Sequence, residues 1–163
     1  WENAIHAAEI AKEAEVLVSL DGCSMQRDNK KNRTLASMAD LLIMNHKYPL
    51  RVSGKSTLPE ALLEMSTWGP KLVVGTLGGR GCAAVIEGKY VMFEAFPIEC
   101  VVDTTGAGDV FHGAFLAAYL DGMDVRSCII FASTAAAIKC TKFGGRAGIP
   151  SREDILTLMK RPN

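Results

Sequence analysis

Short apolar segments alternate with helical segments along the first half of the chain, and this alternation constrains the fold more than any other feature. Each apolar segment has the length of a buried strand, and the segments between them carry the spacing or the caps of helices. Strands joined through helices build a parallel sheet. The segments are a helix at Glu2–Glu15, a strand at Val16–Leu20, a helix leading to a strand at Leu41–Met44, a helix from Thr57 to about Thr67 and a strand at Leu72–Val74.

The pattern changes after the third strand. Two strands flank Glu87-Gly88, a two-residue loop suited to a β-hairpin. Two alanine-rich helices follow, and their apolar residues lie nearly all round the helix, as in buried helices. No repeat and no linker marks a second domain, so we expect one α/β domain. The later segments are strands at Cys82–Ile86 and Lys89–Phe93, helices at Asp109–Leu120 and Val125–Thr141, and a short helix capped by Ser151 and Asp154.

Length and charge limit the classes of partner. The chain has 163 residues, about the size of one domain on the usual estimate of roughly 150 residues. Its 18 basic and 18 acidic residues cancel, so no basic surface is predicted for nucleic acid or an anionic membrane. No apolar stretch has the length of a membrane span and no leader pattern is present. We therefore expect no nucleic-acid or membrane partner.

The cysteines indicate the compartment. Their number is odd and no two have the C-x-x-C spacing of a zinc site or a redox motif. The sequence therefore predicts reduced thiols in the core of a cytoplasmic protein. The five are Cys23, Cys82, Cys100, Cys128 and Cys140.

A glycine-rich stretch, Asp103-Thr-Thr-Gly-Ala-Gly-Asp109, gives the clearest indication of chemistry. Its small residues allow the backbone N–H groups of Gly106, Ala107 and Gly108 to converge at the N-terminus of a helix, where an anion binds well. A carboxylate at Asp109 would repel a resting phosphate but can accept a proton from a hydroxyl. The stretch predicts phosphoryl transfer to an alcohol. The structural alternative is a glycine-rich turn with an Asp that caps the helix.

Two other phosphate motifs fit the sequence less well. Gly54-Lys55-Ser56 resembles the end of a Walker A loop, but Pro49 stands at the earlier glycine position and has no N–H to donate. Gly106-x-Gly108-x-x-Phe111 resembles a dinucleotide fingerprint, but Phe111 replaces the third glycine and Asp109 would oppose a pyrophosphate. A dinucleotide-dependent enzyme is therefore not expected.

The stretch Asp103–Asp109 and the following Val110–Phe115 resemble the C-terminal signature of the ribokinase (pfkB-type) carbohydrate kinases. Gly75–Gly81 is similar to the nucleotide-binding loop of this family, Phe131–Ala137 to its adenine-side helix and Gly144–Pro150 to its closing loop. The resemblance implies a three-layer, ribokinase-like (Rossmann-like) α/β sandwich with a mainly parallel sheet. It also implies ATP as phosphoryl donor and a sugar or sugar-like alcohol as acceptor.

The resemblance assigns roles to particular residues. Asp109 matches the catalytic base that deprotonates the sugar hydroxyl, and Gly106, Ala107 and Gly108 match the anion hole for the transferred phosphoryl group. The residues that match nucleotide-binding positions are Asn45, Thr76, Gly78, Gly79, Gly81 and Ser133, the last beside the adenine.

Metal ions are implied in the same way. Mg²⁺ accompanies ATP in this family, and many members hold a monovalent cation such as K⁺ beside the anion hole. The positions that match the monovalent site are Asp103 and Thr105, with backbone carbonyls from Lys139, Lys142, Gly144 and Gly148.

The chain departs from the family after the second strand. The family has Asn-x-x-Glu there, and the Glu helps to organise magnesium and phosphates, whereas this chain has Asn45-His-Lys-Tyr48. A phenol cannot replace a carboxylate beside magnesium. The departure leaves three interpretations: a weakened kinase, a metal organised by other groups, or a member without activity.

The glycine-rich sugar-binding strands and the lid of the family have no counterpart in these residues. We therefore expect residues 1–163 to be the C-terminal portion only of one ribokinase-like domain, and to be inactive in isolation. The alternatives to an ATP-dependent sugar kinase are a nucleotide-binding module without catalysis and an inactive fragment. The resemblance also allows a homodimer of the full-length protein, because lid strands often form the dimer contact in this family.

Overall fold

The structure is a computed structural model that describes residues 1–22 and 29–160. The chain divides into two compact units, one formed by Trp1–Leu77 and Cys82–Met92 and the other by Gly78–Gly81 and Phe93–Asn163. The elements are α1 (Glu2–Glu13), β1 (Ser19–Asp21), α2 (Asn29–Met38), β2 (Leu41–Asn45), α3 (Lys47–Ser53), α4 (Leu58–Ser66), β3 (Leu72–Thr76), a 3₁₀ turn (Gly78–Arg80), β4 (Cys82–Ile86), β5 (Lys89–Phe93), α5 (Ala107–Leu120), α6 (Val125–Lys139) and α7 (Arg152–Met159).

A five-stranded sheet has its strands in the order β1-β2-β3-β4-β5. The pairs β1–β2 and β2–β3 are parallel, as the alternation of strands and helices predicts, and β4 runs antiparallel to β3. The apolar runs explain the core, because Leu41–Met44 and Leu72–Gly75 are buried throughout. The hairpin between β4 and β5 is confirmed, and both of its loop residues, Glu87 and Gly88, have the positive φ of a primed turn.

The first strand begins three residues later than the apolar run predicts. Glu15 takes a left-handed φ of 55°, and its N–H and that of Val16 donate to the carbonyls of Lys12 and Ala11. These two bonds form a Schellman motif that ends α1. Val16 therefore belongs to the helix cap and is 56 % exposed, so the paired strand starts at Ser19.

The predicted helix starts are confirmed where capping residues mark them. Thr57 and Glu60 form a capping box at α4, and Ser151 and Asp154 form one at α7. Gly54, in the rejected Walker-like sequence, is the left-handed residue that ends α3.

The two alanine-rich helices, α5 and α6, pack against each other in the second unit. The prediction for their ends is corrected: α5 begins at Ala107 instead of Asp109, because Gly106 caps it, and α6 ends at Lys139. Burial all round is also wrong for α5. It buries one stripe formed by Phe111, Phe115 and Ala118, whereas Leu120 is 75 % exposed.

The core-thiol prediction holds for Cys82, Cys128 and Cys140, which are buried, and is wrong for Cys100, which is exposed. Burial raises the pKa of Cys128 to about 11. Cys23 lies outside the described residues. Among the described residues, no helix is both long and apolar enough to cross a bilayer.

Candidate active site

The N-terminus of α5 is formed by a tight glycine turn. Gly106 is the N-cap and has a φ of 78°, a left-handed conformation that glycine adopts without strain. A Cβ atom on Gly106 would also lie 3.1 Å from the carbonyl oxygen of Gly145. The turn therefore requires glycine at position 106, and no side chain caps the helix there.

The three N–H groups expected to converge have different surroundings. The N–H of Ala107 donates to the carbonyl of Thr104 at 3.1 Å, inside the turn. Gly108 and Asp109 are the second and third residues of α5, where backbone N–H groups have no intrahelical acceptor. The N–H groups that can donate to an anion at this helix end are therefore those of Gly108 and Asp109, further along the first turn.

Asp109 is exposed and is the third residue of α5, so it is not the N-cap that the structural alternative required. Within the part of the chain that the structure describes, its carboxylate has no hydrogen bond or ion pair. It lines a cavity of about 630 Å³, together with Thr105, Gly106 and Arg146. An unpartnered carboxylate on an open cavity is available to accept a proton.

The cavity has features that the motif search did not find. Arg146 and Arg152 line it, and its other wall is mostly apolar, with Phe131 and Ile155. Arg152 is ion-paired with Asp121 and lies over the ring of Phe131. No local pattern singles out these arginines, because only the packing of α5, α6 and α7 brings them to the cavity.

The carboxylate of Asp103 is held by backbone groups. Its Oδ1 accepts a hydrogen bond from the N–H of Thr105 at 2.9 Å, and its Oδ2 accepts one from the N–H of Gly144 at 2.8 Å. These donors, with a smaller contribution from the charge of Lys139, lower the pKa of Asp103 to about 2. The carboxylate is therefore ionised at every pH at which the protein is expected to work.

The residues matched to a monovalent cation site meet at this point. The carbonyl of Lys139 accepts from the N–H of Lys142 at 3.3 Å, and a Cβ atom on Gly148 would overlap the same carbonyl. The carboxylate and carbonyl donors suit K⁺. However, the fully buried side chain of Lys139 already places an ammonium group 2.7 Å from the carbonyl oxygen of Asp103. The donor set thus fits a monovalent cation only in part, because the protein supplies a positive charge of its own.

Asn45 and Thr76 lie opposite each other at the carboxyl ends of the parallel strands β2 and β3. The side-chain oxygen of Asn45 accepts from the N–H groups of Lys47 and Tyr48, at 2.9 and 3.2 Å, and so holds the start of α3. The hydroxyl of Thr76 donates to the carbonyl of Met44. Carboxyl ends of parallel strands are the usual place for ligands in α/β sheets.

The glycines of the loop that resembles a nucleotide-binding loop differ in backbone φ and in the space around them. Gly81 has a φ of 89°, and a Cβ atom there would overlap the carbonyl of Phe93. Gly78 has a φ of 61°, but Gly78 and Gly79 both face open space. The fold therefore requires glycine at position 81, whereas no atom of the described residues would meet a Cβ atom at position 79.

Ser133 lies on a separate small cavity of about 120 Å³ in the second unit. Its walls include Phe93, Phe96 and Ile129, so they are largely apolar. Gly81 packs against the backbone carbonyl of Phe93, a residue that also lines this cavity.

Tyr48 fills the core and does not reach a ligand site. It is 2 % exposed, its ring packs against Gly22, and its hydroxyl donates a long hydrogen bond of 3.4 Å to the carbonyl of Asn32. Burial raises its pKa to about 12. Among the described residues, no three Asp, Glu, His or Cys side chains converge to hold a metal ion.

Comparison with known proteins identifies the family. The model of the pfkB family carbohydrate kinases matches residues 1–152. A ribokinase of Arabidopsis thaliana is 33% identical over 162 residues, which cover 96% of this chain and 42% of that protein. A ribokinase of Bacillus subtilis is 37% identical over 103 residues, which cover 63% of this chain and 33% of that protein.

Solved structures show the same fold. The structure of Arabidopsis thaliana ribokinase complexed with ribose and ATP has a TM-score of 0.86 and 32% identity, over 98% of this chain and 52% of that one. Ribokinase from Thermotoga maritima has a TM-score of 0.84 and 32% identity, over 95% and 52%. The chain spans about half the length of such relatives or less. Its fold is ribokinase-like, and the chain belongs to the pfkB family of carbohydrate kinases.

Proposed function

We propose that this chain carries the ATP-binding loops, the anion hole and the catalytic base of an ATP-dependent sugar kinase. The observation that carries the proposal is the carboxylate of Asp109, which lies without a partner in the described chain in the first turn of α5 and lines a large cavity. A base at a helix N-terminus suits transfer of a phosphoryl group to a hydroxyl.

The reaction follows from this placement. The sugar hydroxyl gives its proton to the carboxylate of Asp109 while its oxygen forms a bond to the γ-phosphorus of ATP. The bond from that phosphorus to the β,γ-bridging oxygen breaks, and ADP leaves. The first-turn N–H groups beside Gly106, Ala107 and Gly108 stabilise the negative charge on the transferred group. These groups are already oriented by the helix, so they do not have to rearrange during the reaction.

ATP is the proposed donor, and we assign Asn45, Thr76, Gly78, Gly79, Gly81 and Ser133 to its binding. The support is a likeness to the Arabidopsis ribokinase complexed with ribose and ATP. The apolar cavity beside Ser133 suits the flat face of a base, and the open space at Gly78 and Gly79 suits phosphates. The acceptor is proposed to be a sugar such as ribose.

Mg²⁺ is proposed to arrive with the nucleotide, because it binds through substrate phosphates and few protein groups. When bound, it would neutralise charge on the phosphates. The described residues offer it no cage, and Tyr48 leaves no carboxylate where the family has one. A monovalent cation would be held by Asp103, Thr105 and the loop up to Gly148. It would then lie close to the ammonium group of Lys139, which already donates to the carbonyl of Asp103.

We further propose that these 163 residues correspond to the C-terminal part of a single ribokinase-like domain, because their motifs follow the order of that part of the family. The sugar-binding strands, and any dimer contact made by the lid, would then lie in residues that this chain does not contain.

A second function, nucleotide binding without catalysis, is favoured by one observation. The family carboxylate after β2 is replaced by Tyr48, which is buried in the core and cannot act on a metal. Binding of ATP does not separate the two functions, whereas turnover does.

The test is Asp109→Asn in the full natural protein, supplied with ATP, Mg²⁺ and either ribose or fructose. Asparagine keeps the size of the side chain but cannot take the proton, so kcat should fall about 10²- to 10⁴-fold, while ATP affinity measured by calorimetry stays nearly unchanged. Glu99→Gln, which removes an exposed carboxylate, serves as the control. A fall of less than about tenfold would show that Asp109 is not the base. ATP binding without any sugar phosphorylation by the natural protein would favour the second function.

A further inference from the structure

Lys139 is an exception to how this chain places its lysines. It is the last residue of α6 and is fully buried, with 0 % of its surface exposed. A lysine is almost never fully buried unless its charge is paired, because removing an ammonium group from water is costly. A cation needed only for the C-terminal dipole of α6 could remain in solvent. The burial therefore calls for a specific partner.

The partner is the glycine-rich stretch itself. The ammonium nitrogen Nζ of Lys139 donates a hydrogen bond of 2.7 Å to the carbonyl oxygen of Asp103, 36 residues earlier in the chain. Asp103 is the first residue of the turn that ends in the N-terminus of α5. The bond therefore connects the end of α6 to the segment that precedes α5.

The other contacts of Asp103 make this connection rigid. Its carboxylate accepts the N–H groups of Thr105 and Gly144, so the residue is held through its side chain and through its carbonyl at once. The ammonium group lies close enough to the carboxylate to contribute to its low pKa.

Lys139 itself cannot shift easily. Its carbonyl accepts the N–H of Lys142, and Gly148 packs so closely against the same carbonyl that a Cβ atom there would overlap it. The loop that follows α6 thus encloses the backbone of Lys139 while its side chain reaches the turn.

We propose that Lys139 is a positioning residue for phosphoryl transfer, whose buried ammonium group holds the turn at Asp103–Gly106 so that the first turn of α5 keeps its anion-binding geometry. It provides from within the chain the positive charge that the family resemblance assigns to a bound cation. The inference rests on the proposed function, since the role of Lys139 is exerted through the groups at Gly106, Gly108 and Asp109.

The experiment compares Lys139→Met, which keeps much of the volume but loses the charge, with Lys139→Ala in the full natural protein. Displacement of the anion-binding groups should lower kcat about ten- to hundredfold, with KM for ATP changed less than about twofold. The backbone amide resonances of Gly106 and Gly108 should move in both variants. In Lys139→Ala, added n-propylammonium replaces the missing atoms and should restore kcat at least about fivefold.

Three controls separate positioning from general stability. Lys89→Met removes an exposed lysine charge, and Leu62→Val disturbs a fully buried residue of the first unit. Neither should move the two glycine resonances. Tetramethylammonium, which has no N–H group to donate to the carbonyl of Asp103, should not rescue Lys139→Ala.

Unchanged glycine resonances, or a loss of kcat no larger than that of Leu62→Val at equal thermal stability, would overturn the positioning role. If the natural protein phosphorylates no sugar, the proposed function fails, and the resonances still decide whether Lys139 holds the turn.

Discussion

Tyr48 is a residue whose surroundings limit what it can do. Its ring lies in a core cluster with Met44, Leu62 and Val73, and among the described residues its hydroxyl makes one long hydrogen bond. Glutamate, the family residue at this position, would bury a carboxylate here without a cation, and an unpaired buried charge is strongly unfavourable. The change from Glu to Tyr is therefore coupled to the packing of this core, and simple reversion would not restore a metal site.

The raised pKa of Tyr48 predicts how stability changes at alkaline pH. The unfolded phenol ionises near its ordinary pKa of 10.0, whereas the folded protein holds the proton up to about pH 12. The protonated phenol therefore makes its full contribution to the free energy of unfolding below pH 10, and this contribution is lost as the pH rises towards 12. At pH 11 the wild-type protein should lose roughly 1 kcal/mol that Tyr48→Phe does not lose.

Urea unfolding of both proteins at pH 8, 10 and 11 measures this difference. Tyr119→Phe, which removes a half-buried phenol elsewhere, is the control. Equal alkaline losses in wild type and Tyr48→Phe would show that the buried phenol is not responsible.

At the scale of elements, α1 ends in an unusual way. The left-handed position of its Schellman motif holds Glu15, where glycine is the common residue. A left-handed conformation costs a residue with a Cβ atom roughly 1–2 kcal/mol. Replacement by glycine removes this cost, but the larger conformational entropy of glycine in the unfolded chain offsets part of the gain.

Glu15→Gly should therefore raise the free energy of unfolding by about 0.5–1 kcal/mol, measured by urea denaturation. The matched change Glu13→Gly places glycine at the last helical residue, where φ is negative, and should lower stability by about 0.5–1 kcal/mol. A destabilised Glu15→Gly would mean that the motif does not persist in solution.

The same motif shows why local prediction had limits. The β-branched residues from Val16 onward predicted a strand, but the bonds from Glu15 and Val16 to α1 used the backbone groups that a strand would need. By contrast, the starts of α4 and α7 were predictable, because a capping box is written in residues three apart.

At the scale of the whole molecule, the parallel order β1-β2-β3 and the hairpin followed from local patterns, because hydrophobic periodicity and turn residues act over a few positions. The contact of Lys139 with Asp103 joins residues 36 positions apart, and the arginines at the cavity are brought there by three helices. No local pattern marks such residues. The candidate site was thus predictable as a motif, whereas the side chains that support and surround it were not.

The unequal steric setting of Gly79 and Gly81 has an evolutionary consequence. Folding alone would remove variants at Gly81, whose added Cβ would overlap the carbonyl of Phe93, but folding places no such demand at Gly79. On the proposed assignment of this loop to ATP, a bound nucleotide would select against a side chain at position 79. In a lineage that had lost nucleotide binding, position 79 would drift to alanine or serine while position 81 stayed glycine. Comparing the residues at positions 79 and 81 among related sequences would therefore separate selection for nucleotide binding from selection for the fold.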